Sequence, residues 1–82
     1  MKVINKKLTT DFDNLPNERV ADVDFVADKD NSGTVTITLR NNPNAIVEKL
    51  GAGDSFNRAT GFNLNELDVR SSVADDVLII RW

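Results

Sequence analysis

Asp28-x-Asp30-x-Ser32-Gly33 is the arrangement in this sequence that comes nearest to a ligand site. Three oxygen-bearing side chains at alternate positions, with glycine at the sixth, open a calcium-binding loop, and Val35 falls at the hydrophobic eighth position. The twelfth position must supply a bidentate carboxylate, and Leu39 stands there instead. The expectation is therefore a polar turn with no metal and no cofactor. Carboxylates also come in pairs, at Asp11/Asp13, Asp22/Asp24 and Asp75/Asp76. Glycoside cleavage needs two such groups facing one another across a cleft. Side chains two apart on a strand merely share one face of it.

Nucleophilic chemistry is poorly served. Gly53-Asp54-Ser55 resembles the nucleophile block of lipase-like hydrolases, whose serine works with a histidine, and the sequence has no histidine. Ser55 thus lacks a base to take its proton. Gly53-Asp54 reads as a tight turn, with the Asp54 carboxylate accepting from nearby backbone N–H groups. Gly51-x-Gly53 lacks the third glycine, the lysine and the long helix of a phosphate cradle. Of five aromatic residues only Trp82 is a tryptophan, and stacking a sugar would require it to present a ring beside Phe56 or Phe62.

Composition narrows the classes further. A chain of 82 residues forms one small domain with a thin stability margin. Without cysteine or histidine it has no disulfide, no Cys/His zinc site and no thiol nucleophile. Ten Lys and Arg stand against thirteen Asp and Glu. That balance gives no footprint for nucleic acid, which requires clustered excess cations. Lys2, Lys6 and Lys7 form the one basic group. No apolar run follows them as in a secretion signal, and none is long enough to span a bilayer, so no membrane partner is expected.

The elements that must carry these residues are strands, because the dominant period is two. In residues 34–39, Val35, Ile37 and Leu39 point one way and Thr34, Thr36 and Thr38 the other. Aspartate at Ile37 should therefore unfold the domain, and aspartate at Thr36 should be nearly silent. Residues 21–27 alternate similarly, with Val26 on the face of Asp22 and Asp24. Residues 28–33 between these two runs are turn formers, which predicts an antiparallel hairpin. Residues 41–44, with Pro43, predict a loop, and 45–50 a short strand. A turn at 51–54 follows, then a loop or single helical turn at 63–66 leading into a strand. Residues 73–76 turn the chain again. Residues 77–82 are apolar on both faces, as in a central strand or one covered by a neighbour.

Residues 1–18 read as an N-terminal strand near 2–8 with an irregular segment or arm, and 19–82 as the body of a single domain. The sum is an all-β protein: a small antiparallel β-sandwich or jelly-roll-like barrel of six or seven short strands.

Four stretches carry a resemblance beyond the fold class. They are Thr34-Val35-Thr36-Ile37-Thr38-Leu39, Leu50-Gly51-Ala52-Gly53-Asp54-Ser55-Phe56, residues 63–72 with Leu67-Asp68-Val69-Arg70-Ser71-Ser72, and Asp76-Val77-Leu78-Ile79-Ile80-Arg81-Trp82. In that order they resemble small bacteriophage virion structural proteins, the β-sandwich or jelly-roll domains that coat capsids or sit in tails and fibres. The resemblance implies a non-enzymatic capsid decoration protein located on the virion. Its partner would be a shell or tail protein, and it would assemble as a homo-oligomer, commonly a trimer. Lys2, Lys6 and Lys7 would then meet an acidic shell surface, and Phe12, Leu15, Phe62 and Trp82 would be the apolar anchors. A small interaction module or host-enzyme inhibitor, and a carbohydrate-binding adhesive domain, are the alternatives.

Overall fold

β-Branched residues at alternating positions suit a pleated surface with one face buried, and the chain uses them in ten antiparallel strands. The computed structural model describes all residues, Met1–Trp82. The strands are β1 (Val3–Lys7), β2 (Asp13–Asn14), β3 (Arg19–Val20), β4 (Val23–Ala27), β5 (Val35–Leu39), β6 (Asn42–Leu50), β7 (Ser55–Arg58), β8 (Phe62–Asn63), β9 (Leu67–Ser71) and β10 (Val77–Arg81). A single 3-10 turn, Leu64–Glu66, lies between β8 and β9, at the place the sequence suggested. Strand takes up 54% of the residues and there is no α-helix, so the fold is all-β as expected.

Pairing follows one rule. β1 pairs with β10, β2 with β9, β3 with β8, β4 with β7 and β5 with β6, all antiparallel. The chain is thus one long hairpin folded back at the Arg40–Asn41 turn, then rolled so that β10 also pairs β4 and β9 also pairs β5. Rolling produces two four-stranded sheets, β1-β10-β4-β7 and β2-β9-β5-β6, with β3-β8 as a separate ribbon. This is jelly-roll order. The strand count exceeds the six or seven expected because β2, β3 and β8 are two-residue pairings too short to leave an alternation.

The two sheets bury Val23, Phe25, Ala27, Leu78 and Ile80 from one side against Val35, Ile37, Leu67 and Val69 from the other. Residues 1–18 are built into this core: β1 extends the first sheet, and Leu8 and Leu15 are each 1% exposed.

The expected hairpin between residues 21–27 and 34–39 does not form. β4 and β5 lie in different sheets, and residues 28–33 carry the chain across the sandwich. The crossing is fastened to the β9–β10 connection. Asn31 Nδ2 donates to Val77 O (2.9 Å), and Val77 N donates back to Asn31 Oδ1 (2.8 Å). The buried Asp76 carboxylate accepts from Ser32 N (3.0 Å), Gly33 N (2.9 Å) and Ser71 Oγ (2.6 Å). A side chain at Gly33 would collide with Ser72 Oγ.

Two further expectations are corrected. Residues 42–44 are not a loop: Asn41 turns with φ 57°, and β6 begins at Asn42 with Pro43 inside it. Because β6 is an edge strand, a residue without an N–H costs no ladder bond there. Nor are Thr36 and Thr38 wet, being only 9% and 1% exposed, whereas Leu39 is 43% exposed. β5 is one of the two inner strands of its sheet, flanked on both sides, with Arg70 and Lys49 opposite Thr36.

Candidate contact surface

Register and burial together assign each sheet an inner and an outer face. On the outer side of β1-β10-β4-β7, Val3, Arg81, Asp24 and Asn57 form one row, and Asn5, Ile79, Val26 and Ser55 the next. Lys7 and Val77 begin a third. Ile79 and Val26, both half-buried, lie in the middle of the face, with half-buried Val77 beyond them and Val3, 53% exposed, at its corner; the other positions are polar or charged. An apolar centre with a polar rim is the anatomy of a protein contact surface.

The polar groups of this face are partly organised. Asn57 Nδ2 donates to Asp22 Oδ1 (2.7 Å) and Asp24 Oδ1 (2.8 Å), which orients both carboxylates and leaves an oxygen of each free. The ion pairs of the molecule are Lys2–Glu18 (2.8 Å) and Lys7–Asp75 (3.5 Å), so Arg81 has no carboxylate within salt-bridge distance. At the end of the face Met1, Asp22, Asp24, Arg81 and Trp82 surround a shallow cleft of about 280 Å³.

On the opposite outer face, that of β2-β9-β5-β6, Thr36 and Thr38 are covered, while Ile46, the register partner of Thr38 on the edge strand β6, is 50% exposed. The Arg70 guanidinium sits 5.0 Å above the Phe12 ring. Asn14 Nδ2 donates to Asp68 Oδ1 (2.9 Å), and Asn41 N donates to Asp68 Oδ2 (3.1 Å).

The residues proposed from the sequence as contact points are not brought together. Lys6 and Lys7 are neighbours on a strand and so point to opposite sides. Lys7 projects outward, whereas Lys6 shares the inner side with Ile4 and is half-buried at the sheet edge. An inward-pointing charge on an edge strand discourages pairing with another edge. Lys2 is held by Glu18, whose carboxyl lies below its ordinary pKa because of the Lys2 hydrogen bond and charge. Leu15 and Phe62, 1% and 4% exposed, are core and cannot serve as anchors. Arg58 caps the Phe62 ring at 4.6 Å. Phe12 is half-buried under Arg70, and Trp82 packs partly on the core beside β1, exchanging backbone hydrogen bonds with Lys2.

The chemistry-bearing motifs resolve into structure. Asp28 Oδ1 accepts from Asp30 N (2.8 Å), a local turn bond. Gly51 N donates to Asp54 Oδ2 (2.9 Å), and Gly53 has φ +80°, as the turn reading required. No three His, Cys, Asp or Glu residues converge as metal ligands, and no helix is long and apolar enough to cross a membrane. Asp75 is exposed and Asp76 buried, so that pair faces no common cleft. Phe56 stacks on Phe25 with ring centroids 6.1 Å apart, and Phe62 is 4% exposed under Arg58, so neither presents an open ring for a sugar.

Val26, Ile79, Asp24 and Arg81 were not singled out as contact residues by sequence reasoning. The signal was present in two outward strand positions occupied by large apolar side chains. The chain matches no protein-family model, no curated protein and no solved structure.

Proposed function

We propose that the protein is a non-enzymatic structural component of a phage particle, a decoration protein that binds the shell surface. The observation that carries this reading is the outer face of β1-β10-β4-β7, where half-buried Ile79 and Val26 lie at the centre with Asn5, Ser55, Arg81 and Asp24 around them. A jelly roll is a common vehicle for capsid and lectin domains, an analogy of fold that raises the prior without naming the partner. Decoration acts by mass action: a subunit that binds only the assembled shell stabilises that state. Such work needs a rigid surface and no reactive group. The reading is compatible with a sequence that carries neither histidine nor cysteine. Mass spectrometry of purified particles tests the reading. The chain is expected among the stoichiometric components, and Ile79→Lys is expected to lower its occupancy at least about tenfold by placing a charge at the desolvated centre. Absence of the wild-type chain from the particles would overturn the proposal.

A further inference from the structure

The two central strands of the exposed face carry a transposed pair of features. β10 presents Ile79 and Arg81, and β4 presents Val26 and Asp24, with Ile79 directly opposite Val26 and Arg81 directly opposite Asp24. A rotation of 180° about an axis running parallel to the strands between β10 and β4 exchanges the two. Ile79 of one copy then lies over Val26 of the other, and Arg81 over Asp24, twice in each pair. Self-complementarity of this kind is what an isologous two-fold contact requires.

We propose that a second copy of this chain seats back to back on this face, forming a two-fold dimer about that axis. The inference rests on the reading of this face as the contact surface, but not on the partner being a phage shell: the second copy occupies the face in the free chain, and it and a shell exclude one another there. Charge supports it. Asp24 is exposed, with one oxygen held by Asn57 and the other free, while Arg81 is exposed and unpaired within its own chain. The face is small: four strands of four or five residues fall short of the roughly 800 Å² that a standard interface takes from each partner. Packed sheets lie about 10 Å apart, and their twist confines close contact to the middle strands. The dimer is therefore weak and dependent on concentration.

Analytical ultracentrifugation of the intact chain from micromolar to millimolar concentration tests the proposal. The wild type is expected to shift from 9.1 kDa toward twice that mass. Arg81→Asp and Asp24→Arg alone each place like charges in both symmetric contacts and are expected to weaken association at least about tenfold. An equimolar mixture of the two variants restores opposite charges at both contacts, so heterodimers are expected at close to wild-type affinity. Rescue by mixing is a readout that mere damage to the fold cannot produce. Ile79→Lys serves as an independent variant and is expected to be monomeric while melting cooperatively. A wild type monomeric at millimolar concentration would overturn the dimer, as would single variants that associate normally or a mixture that stays monomeric. A monomer still present in purified particles would leave the contact reading standing and remove only the dimer.

Discussion

The two outer faces of the sandwich are built from the same alternation, yet they differ in what the alternate residue is. On β5 the outward positions are Thr36 and Thr38, both buried. On β10 and β4 they are Ile79 and Val26, which stay only half-buried. The threonine face is tied down at its middle by the Phe12–Arg70 stack and the hydrogen bonds of Asp68, with Ile46 exposed at its edge. The isoleucine face is open at its middle: its apolar centre remains partly in water, and Arg81 forms no ion pair. The contrast distinguishes a surface that contributes to folding from one left for a partner, and strand propensity alone would score both alike.

Several substitutions break or sharpen that contrast. Ile37→Asp, on the inner side of the strand that bears the threonines, should cost about 4 kcal/mol or more by burying an unpaired carboxylate. For so small a domain that equals most of the stability, and circular dichroism should show no cooperative melt. Asp76→Asn attacks the crossing that delivers β5 to the threonine sheet, and should cost about 2–3 kcal/mol through lost charge-assisted hydrogen bonds.

Asp76 also sets an acid dependence. Burial pushes its carboxyl up, but hydrogen bonds from Ser71 Oγ and the Ser32 and Gly33 N–H groups outweigh that and hold it below its ordinary value. A depressed folded pKa contributes stability that is present above the unfolded value and lost as pH falls through the folded one. Urea unfolding between pH 6 and pH 2 should therefore show a loss setting in below about pH 4, and Asp76→Asn should lack that component.

Smaller effects separate the faces directly. Thr36→Asp should cost about 1–2 kcal/mol, since Arg70 and Lys49 on either side offset part of the burial. Val26→Asp, at an equivalent outward position on the open face, should change the melting free energy by less than about 1 kcal/mol. The smallest change has the opposite sign. Thr38 Oγ1 is buried without a hydrogen-bond partner, so Thr38→Val should raise stability by about 1 kcal/mol or less.

Much of this architecture was legible residue by residue. Alternation located β4, β5, β9 and β10, glycine and aspartate located the 51–54 turn, and Asn63 with Glu66 marked the single helical turn, where a reciprocal cap forms. The apolar character of both faces of β10 agreed with its central place between β1 and β4. Which strands pair could not be read. Turn formers between two alternating runs serve equally for a hairpin and for an arch between sheets. The choice rests on Asn31 and Asp76, 45 positions apart, meeting at the same crossing. The contact residues were misjudged for a related reason. Leu15 and Phe62, expected as anchors, are folded inward by pairing with strands distant in sequence. Lys6 and Lys7 looked like one patch, although adjacency on a strand should already have separated them.

The sharpest test of which outer face takes a partner is a dilution series followed by backbone amide NMR. Between millimolar and micromolar chain, the amides of Asp24, Val26, Ser55, Asn57, Ile79 and Arg81 are predicted to shift together along one binding curve. Those of Thr36, Thr38, Asp68 and Arg70 are predicted to stay fixed. Shifts centred on the threonine side, or a spectrum unchanged over the whole range, would contradict the account.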